Sequence, residues 1–403
     1  MDIQKIRQDF PLLNEKTNRR PVVYFDNACQ SLRPQSVINA INKYYLEFPA
    51  CGGRSVHHLA ERVTHECEET RTIIAKFINA LSKEEIIFTR NTTEGINLVA
   101  NSLGLKKGDV VLISDKEHNS NLIPWQMLVK RQGTEIRTIP SNEDSTFNLE
   151  EYKKNLDGRV KLVALGMTSN LDGVTIPADE IIKPAHKNGS LVLLDAAQTI
   201  PHQNVDVRTL DVDFLAFSGH KMLGPSGTGV LYGKYGLLEK LDPFLVGGET
   251  VSSSTYSSCQ FLPPPEKFEA GLQDYAGIIG LGEAAKYLQA IGFKTIQEQE
   301  MHLNEFVTQE ISNLPRLNII GPSNPQLRGG IVSFYLQGVD SHQIALMLDQ
   351  MADVLVRSGQ HCVHSWFNAH AIPGSVRASF YFYNTLAEAE LFVSQLKKIA
   401  KVL

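Results

Sequence analysis

The sequence predicts an α/β protein built on a mostly parallel sheet. Three short apolar runs of strand length carry this prediction: Val110–Ser114, Lys161–Leu165 and Leu191–Leu194. Amphipathic stretches such as Val37–Phe48 alternate with these runs, which is typical of a parallel sheet with helices on its faces. The last of the three runs is apolar throughout, as expected for a strand that is buried on both sides.

The carboxyl-terminal third of the chain departs from this alternation. The pattern breaks near Pro263–Pro265, and a long amphipathic stretch follows from about Tyr275 to Leu314. Beyond it, the periodicity predicts a compact α+β unit with strands at Gly330–Leu336 and Val376–Tyr383 and helices at His342–Met351 and Leu386–Leu403. We therefore expect a large α/β domain over residues 21–275 and a smaller α+β domain over residues 276–403.

The composition excludes several classes of protein. The chain has 403 residues and a formal net charge of −5, which allows two or three domains with sizeable cores. No block of Lys or Arg indicates nucleic-acid binding, and no apolar stretch reaches the roughly 18 residues that a membrane span requires. The charged start, Met1–Phe10, shows no secretory signal. Five cysteines without paired metal-ligand spacing predict reduced thiols, no metal site and a cytoplasmic location.

A lysine and an aspartate stand where a site in such a fold is expected. Asp195 ends the apolar run 191–194, and ligands of α/β sheets bind beyond the carboxyl ends of the strands. Lys221 lies between the apolar runs 214–217 and 230–232, and burial frees a neutral lysine amine for Schiff-base chemistry. Together they are the two groups that a pyridoxal phosphate enzyme needs. The alternatives are a helix N-cap for Asp195 and a structural lysine.

A phosphate cradle is predicted upstream. The stretch Glu84–Ala100 passes from a strand-like segment through Thr92 and Thr93 into an amphipathic helix, with Glu94 in its first turn. Backbone N–H groups and the positive end of the helix dipole bind phosphate at such a start. An ordinary capping arrangement of the Thr-Thr-Glu segment is the alternative.

These segments belong to an ordered series of motifs: Phe25–Ala28, Arg90–Ala100, Glu117–His118, Ser169–Asn170, Asp195–Gln198, Ser218–Lys221, Arg357–Cys362 and Val376–Thr385. In their order and spacing they resemble the class V, fold-type I pyridoxal phosphate enzymes, most closely the cysteine desulfurases of the sulfur-mobilisation type and their selenocysteine lyase relatives. The resemblance covers nearly the whole chain. It implies a large domain with a mostly parallel seven-stranded sheet, and a smaller α+β carboxyl-terminal domain that the segment 1–20 joins.

The resemblance also assigns roles around the cofactor. Lys221 would bind pyridoxal 5'-phosphate covalently, Asp195 would pair with the pyridine nitrogen, Gln198 would donate to the ring hydroxyl, and His118 would stack on the ring and act in catalysis. The remaining cofactor contacts implied in this way are Thr92, Thr93, Asn170, Ser218 and His220.

For the substrate, the resemblance makes Arg377 the clamp of an amino-acid carboxylate, to which a guanidinium fork is matched. Asn170 would assist it, and Arg357 and Arg54 would be secondary positive charges in the cleft. Without this context, Arg377 reads as a solvated residue at a strand edge, and Asn170 and His118 read as satisfied polar residues.

Cys362 directs the expected reaction. A lone cysteine is ordinarily a small buried hydrophobe, but Arg357, His361 and His364 surround this one in the sequence and favour a nucleophilic thiol. The resemblance implies a persulfide on Cys362, formed as L-cysteine becomes L-alanine, with the sulfur passed to a protein acceptor or scaffold for iron–sulfur or other thio-cofactor assembly. The loop Val246–Glu249 is similar to one at the dimer interface of the family, so a homodimer is expected.

Two other readings stay open. One is another class V enzyme, such as an aminotransferase or a lyase acting on selenocysteine or a different side chain. The other is a sulfur carrier or scaffold without catalysis. The chain also departs from the family pattern, with Gly53 in place of a cleft histidine, Leu272 in place of a phosphate-binding threonine and Gln360 where a histidine is common.

Overall fold

The computed structural model of the protein describes residues 2–14, 16–17, 20–53 and 55–403, without the side chains of residues 16, 17 and 20. The strands are β1 (Lys16–Thr17), β2 (Arg20–Pro21), β3 (Val23–Tyr24), β4 (Ile86–Thr89), β5 (Val110–Ser114), β6 (Glu135–Ile139), β7 (Val160–Gly166), β8 (Leu191–Asp195), β9 (Phe214–Ser218), β10 (Gly229–Gly233), β11 (Val251–Ser254), β12 (Cys259–Phe261), β13 (Leu317–Ile320), β14 (Ile331–Leu336), β15 (Val354–Leu355), β16 (Arg357–Gly359) and β17 (Ser375–Ser379). The helices are α1 (Ile3–Arg7), α2 (Pro11–Asn14), α3 (Gln35–Glu47), α4 (His58–Phe77), α5 (Thr92–Ser102), α6 (Ile123–Gln132), α7 (Leu149–Asn155), α8 (Ala178–Lys187), α9 (Val207–Leu210), α10 (Tyr235–Leu238), α11 (Tyr275–Ile291), α12 (Phe293–Ile311), α13 (Ser341–Ala352), α14 (His364–Ala369) and α15 (Leu386–Val402).

The central sheet has seven strands in the order β4-β10-β9-β8-β7-β5-β6. The pairs from β9 through β8, β7 and β5 to β6 are parallel, and β10 alone runs antiparallel to its neighbours β9 and β4. The predicted α/β class and the mostly parallel seven-stranded sheet are confirmed. Each of the three apolar runs in the sequence forms one of the parallel strands.

Alternate residues of the strands enter two separate cores, one on each face of the sheet. In β7, Leu162 and Ala164 pack in one core with residues of α5 and α6, whereas Val163 and Leu165 pack in the other with residues of α4, α8 and α11. Side chains of successive strand residues point to opposite faces. Because both faces are covered by helices, the strands have no polar face, which explains the continuous apolar runs.

A second, antiparallel sheet has the order β13-β14-β17-β16. Its core includes residues of α12, α13 and α15, together with Val23 and Phe25 from the amino-terminal part of the chain. The strand predicted over 376–383 is shorter than expected, because β17 ends at Ser379 and the aromatic residues that follow turn into the core of the larger sheet. The side chain of Asn384 accepts from the Tyr381 N–H and closes this turn.

The amphipathic stretch from Tyr275 forms two helices rather than one. Gly292 separates α11 from α12 with a φ of 84°, a conformation that glycine adopts without a Cβ clash. Helix α11 packs against α3 and α4, and its residues Leu281 and Leu288 lie in the core of the larger sheet. The division into domains at residue 275, with the segment 1–20 joined to the smaller one, stays a prediction.

Within the described part of the chain, no helix has both the length and the apolar composition needed to cross a bilayer.

Candidate active site

The predicted site residues converge at the carboxyl ends of two neighbouring parallel strands. Asp195 is the last residue of β8, which pairs with β9 so that Asp195 lies opposite Ala216. Lys221 follows the end of β9 in a single 3-10 turn. Both residues line a cavity of about 250 Å³, at the edge of the sheet where ligands of α/β proteins bind.

This cavity, called the site cavity below, brings together all the predicted site residues that the structure describes: Thr92, Thr93, His118, Asn170, Asp195, Gln198, Ser218, His220, Lys221, Arg357, Cys362 and Arg377. Arg54 lies outside the described residues. A larger neighbouring cavity of about 610 Å³ shares Ala28, Thr168 and Gln198 with it. That second cavity contains neither Lys221 nor Cys362, so size does not identify the site here.

Lys221 and Asp195 each offset the effect of burial on the pKa of the other. Burial lowers the pKa of Lys221, while the Asp195 carboxylate acts in the opposite direction. Burial raises the pKa of Asp195, and Lys221 partly offsets that rise. The Lys221 amine makes no hydrogen bond or salt bridge with any residue that the structure describes, which disfavours a structural role. Turns rather than an α-helix follow Asp195, so it is not a helix N-cap.

The predicted phosphate cradle is the first turn of α5. Asn91 is the N-cap, and its side chain accepts from the backbone N–H of Glu94 at 3.0 Å. The hydroxyl of Thr92 is therefore not needed as a cap, and it lies 2.6 Å from the hydroxyl of Ser218, at the end of β9. The Thr92 N–H also donates to Ser218 Oγ at 2.9 Å. Hydroxyl groups and a helix start thus meet at the wall of the site cavity, as phosphate binding requires.

A glycine allows this close approach. A Cβ atom on Gly229, the first residue of β10, would lie 2.6 Å from the Cα of Asn91 and 2.8 Å from the carbonyl oxygen of Phe217. Strand β10 pairs with both β4 and β9. Only glycine lets it pass between them while Thr92 remains in contact with Ser218.

Arg377 on β17 is the most deeply buried cation of the cavity, with 2% of its surface exposed. Its Nη1 donates to the backbone oxygen of Asn170 at 2.9 Å, and its Nη2 lies 3.6 Å from Asp26 Oδ1. Its Nε has no hydrogen-bond partner among the described residues. Unpaired buried donors are costly and therefore rare. The guanidinium is thus positioned to bind an acceptor that enters the cavity.

Cys362 lies on a loop that reaches the cavity from the antiparallel sheet, between β16 and α14. His361 and Cys362 both adopt left-handed backbone conformations, with φ of 48° and 60°, which are uncommon for residues other than glycine. Two contacts hold the loop: the Asn119 N–H donates to the Cys362 oxygen, and the Asn170 side chain donates to the His361 oxygen, both at 2.8 Å. Strain of this kind is maintained where the surroundings fix it, often at functional sites.

The histidines of the cavity stay neutral. Burial is the main cause that lowers the pKa of His118 to about 3, of His220 to about 4 and of His361 to about 2. The Ser120 N–H donates to Nδ1 of His118, so the neutral His118 ring carries its proton on Nε2. Positive charge from Lys221 and Arg377 adds to the effect on His118.

These shifts predict a loss of stability in acid. Because an unfolded histidine titrates near 6.5, the unfolded chain binds more protons than the folded protein below that pH, and stability falls as the pH drops. For His361 the loss between pH 7 and pH 5 is about 2 kcal/mol. We expect urea unfolding of a His361→Asn variant to lose that much less stability over this interval than the unmodified protein. A His302→Asn variant, altered at an exposed histidine, should show the original slope; equal slopes for all three proteins would contradict the prediction.

Among the cavity residues that were given no role from the sequence, two make notable contacts. Glu117 is 3% exposed and accepts from Ser114, Asn121 and the Gly166 N–H, although burial raises its pKa to about 7. It fixes the backbone next to His118, and its only sequence signal was membership of the same motif. The other is Cys29, which directly follows the motif Phe25–Ala28 and whose sulfur lies 2.9 Å from Arg357 Nη1. The departures Gly53 and Leu272 are both exposed.

In the described ranges of the chain, no group of three or more His, Cys, Asp or Glu side chains could hold a metal ion.

Comparisons with known proteins identify the family to which the chain belongs. The profile of the family described as Aminotransferase class-V matches residues 23–392. A cysteine desulfurase of Enterobacter sp. (strain 638) is 40% identical over 405 residues, covering 100% of this chain and 99% of that protein. The apo structure of a cysteine desulfurase from Thermococcus onnurineus NA1 is 39% identical with a TM-score of 0.94, covering 99% of this chain and 98% of that one. The structure of cysteine desulfurase CsdA (S-sulfonic acid) from Escherichia coli is 30% identical with a TM-score of 0.92, covering 100% and 99%.

Proposed function

The chain belongs to the class V aminotransferase family and is a pyridoxal-phosphate-dependent cysteine desulfurase, in which, we propose, Cys362 takes the sulfur of L-cysteine as a persulfide while L-alanine is formed. One observation carries the proposal: a single cavity holds Lys221, Asp195, Arg377 and Cys362. An amine, a carboxylate for a ring nitrogen, a carboxylate clamp and a thiol are the groups that this reaction needs.

The residues of the cavity fit pyridoxal phosphate. Lys221 offers a free amine to the aldehyde, Asp195 ends the adjacent strand, and the hydroxyls of Thr92 and Ser218 lie at the start of α5. When bound, the cofactor supplies an electron sink for negative charge at Cα of the substrate. Gln198 also lines the cavity, and its Nε2 donates to the Ala28 oxygen at 2.6 Å. This contact fixes the position of the Gln198 side chain.

The side chains of the chain do the rest of the chemistry. Arg377 holds the substrate carboxylate, because its unpaired Nε and its Nη atoms form a fork that matches two carboxylate oxygens. Lys221 removes the Cα proton: burial lowers its pKa, which makes the amine a usable base. Asp195 would hold a proton on the ring nitrogen of the bound cofactor. His118, neutral and protonated on Nε2, lies along the cavity without adding charge.

Cys362 performs the sulfur step. Its thiolate attacks the sulfur of the bound cysteine, a new S–S bond forms, and the Cβ–S bond of the substrate breaks. The electron pair of that bond passes to the carbon fragment, which takes up protons and leaves as L-alanine. The short loop that carries Cys362 is held by Asn119 and Asn170, so the sulfur is presented to the cavity from a fixed backbone.

The carboxylate clamp makes a testable prediction. An Arg377→Lys variant keeps the positive charge beside Asp26 but loses the planar fork, so we expect the KM for L-cysteine to rise about 10- to 100-fold. Steady-state kinetics with alanine as the measured product checks this. The matched substitution at an exposed position, Arg131→Lys, should leave the KM unchanged; a normal KM for Arg377→Lys would remove the clamp role.

Three further features belong to the proposal. We propose a homodimer, supported by the exposed apolar residues Leu245, Val246 and Leu272 around the loop that resembles the family interface. We propose a cytoplasmic location with reduced thiols, supported by five free cysteines. We propose that a protein acceptor or scaffold receives the sulfur for iron–sulfur or other thio-cofactor assembly, supported by the half-buried Cys362 at the cavity wall.

One experiment tests the function. The protein loaded with pyridoxal phosphate is incubated with L-cysteine, with and without reductant, and alanine is quantified while peptides are weighed by mass spectrometry. We expect alanine together with the mass of one added sulfur on the Cys362 peptide, which reductant removes. A keto acid in place of alanine would indicate an aminotransferase. Protein that stays colourless with the cofactor would indicate a scaffold, and either result would overturn the proposal.

A further inference from the structure

The site cavity contains a second thiol that the reaction above does not use. Cys29 lines the same space of about 250 Å³ as Cys362 and Lys221. Negative charge on either cysteine would raise the pKa of Lys221. Two thiols of one chain therefore face a cavity no larger than a few side chains.

Backbone hydrogen bonds fix Cys29 as well as Cys362. Its N–H donates to the Asp26 oxygen, and the preceding Ala28 is held on both sides: its N–H donates to Ser379 Oγ at 2.9 Å and its oxygen accepts from Gln198 at 2.6 Å. Ser379 of β17 and Gln198 of the turn after β8 thus position the turn that carries Cys29. Cys362 is on a loop with two consecutive left-handed residues.

A guanidinium donor lies directly against the sulfur of Cys29. Arg357 Nη1 lies 2.9 Å from Cys29 Sγ. Arg377 and His361, which are 2% and 5% exposed, line the same cavity. Among the described residues, neither Arg377 Nε nor His361 Nδ1 has a hydrogen-bond partner. Guanidinium donors stabilise charge that develops on sulfur, so the cavity offers donors for sulfur at a second position as well as for the substrate.

We propose that Cys29 is a second sulfur-carrying residue, which takes the sulfur from the persulfide of Cys362 inside the cavity. This inference rests on the function proposed above. The Cys29 thiolate attacks the outer sulfur of the Cys362 persulfide; an S–S bond forms at Cys29 as the S–S bond at Cys362 breaks. Cys362 leaves as a thiolate and takes up the proton that Cys29 has lost. The exchange is a thiol–persulfide transfer that needs no external oxidant or reductant.

The transfer has a consequence for turnover. Once its sulfur has moved to Cys29, Cys362 is a thiol again and can attack a second substrate molecule before any acceptor arrives. The protein then holds sulfur at two positions, one on the turn that follows Ala28 and one on the loop that carries Cys362. Arg357, which contacts Cys29, stabilises the stored sulfur and is not itself changed in the transfer.

Peptide-resolved mass spectrometry of the holoenzyme tests the proposal. The protein is given excess L-cysteine without reductant, alkylated in acid and digested, and alanine is measured in the same sample. The variants are Cys29→Ser, whose hydroxyl can still accept from Arg357, Cys362→Ser, and the control Cys259→Ser at an exposed position of β12. In the unmodified protein and the control we expect an added sulfur on both the Cys29 and the Cys362 peptides. Cys29→Ser should lower the sulfur bound per chain by about half.

The remaining outcomes separate the inference from the function. Cys362→Ser should carry no sulfur on Cys29, because the sulfur reaches Cys29 only through Cys362. Sulfur on Cys362 with none on Cys29 would overturn the inference and leave the desulfurase intact. Sulfur on Cys29 in the Cys362→Ser variant would also overturn it, since Cys29 would then take sulfur from the substrate directly. No alanine and no sulfur on either peptide would overturn both.

Discussion

Replacement of Lys221 by alanine is expected to lower the rate of alanine formation from L-cysteine by on the order of 10³-fold. In the proposed mechanism Lys221 supplies both the amine that binds the cofactor and the base that removes the Cα proton. The other cavity lysine cannot substitute for it, because the Lys116 amine is bound to Asp172 at 2.7 Å and to the Ser145 oxygen at 2.5 Å. Alanine release over time, measured with saturating cofactor, gives the rate.

Covalent labelling of the lysine provides a second readout beside the rate. In the unmodified protein, borohydride should attach the cofactor to the peptide that contains Lys221, whereas the Lys221→Ala protein should yield no such attachment on any peptide. Lys161→Ala is the matched control, since Lys161 lies exposed on β7, outside the cavity. Full turnover by Lys221→Ala would refute the assignment. Cofactor attached to another lysine would assign the cofactor-binding role to that lysine.

Replacement of Cys362 by alanine is expected to leave the cofactor absorbance in place and to lower alanine formation by at least about 100-fold. In the proposed mechanism the thiol is the nucleophile of the sulfur step, whereas Asp195, Ser218 and Thr92, which are predicted to contact the cofactor, lie on β8, β9 and α5. Absorbance titration with pyridoxal phosphate and alanine release from L-cysteine measure the two properties separately.

An exposed cysteine provides the control for this second experiment. Cys259→Ala, at an exposed cysteine, should behave as the unmodified protein in both measurements. Undiminished turnover in Cys362→Ala would show that another group accepts the sulfur. Loss of cofactor binding would place Cys362 in the architecture of the cofactor pocket instead.

Much of the fold was predictable because burial on both sides of a parallel sheet leaves a simple pattern. The run Leu191–Leu194 indicated a buried strand, and Asp195 at its end was expected at the ligand-binding edge. The ends of helices and strands were harder to predict from the sequence where a single residue sets them. Gly292 divides one amphipathic stretch into two helices, and the turn closed by Asn384 ends a strand that sequence periodicity extends to Tyr383.

The site was predictable to the extent that its residues belong to motifs. Lys221, Asp195, Cys362 and Arg377 could be nominated in this way, and the structure places them in one cavity. The contacts between distant motifs could not be nominated. Arg357 and Cys29 are 328 positions apart in the chain, and no local pattern in either segment indicates the other. Likewise, the capping role of Asn91 follows from backbone geometry, which the neighbouring Thr-Thr-Glu segment conceals.

The cavity is built from two sheets: the parallel one provides Lys221 and Asp195, and the antiparallel one provides Arg377 and the loop with Cys362. Catalysis therefore depends on the mutual alignment of two bodies, whereas holding the coenzyme depends mainly on one. In a random mutagenesis screen, some substitutions remote from the cavity should tilt one sheet against the other. The resulting variants should still bind the cofactor and be yellow, but should not turn over L-cysteine. Pigmentation and turnover would then segregate as separate phenotypes.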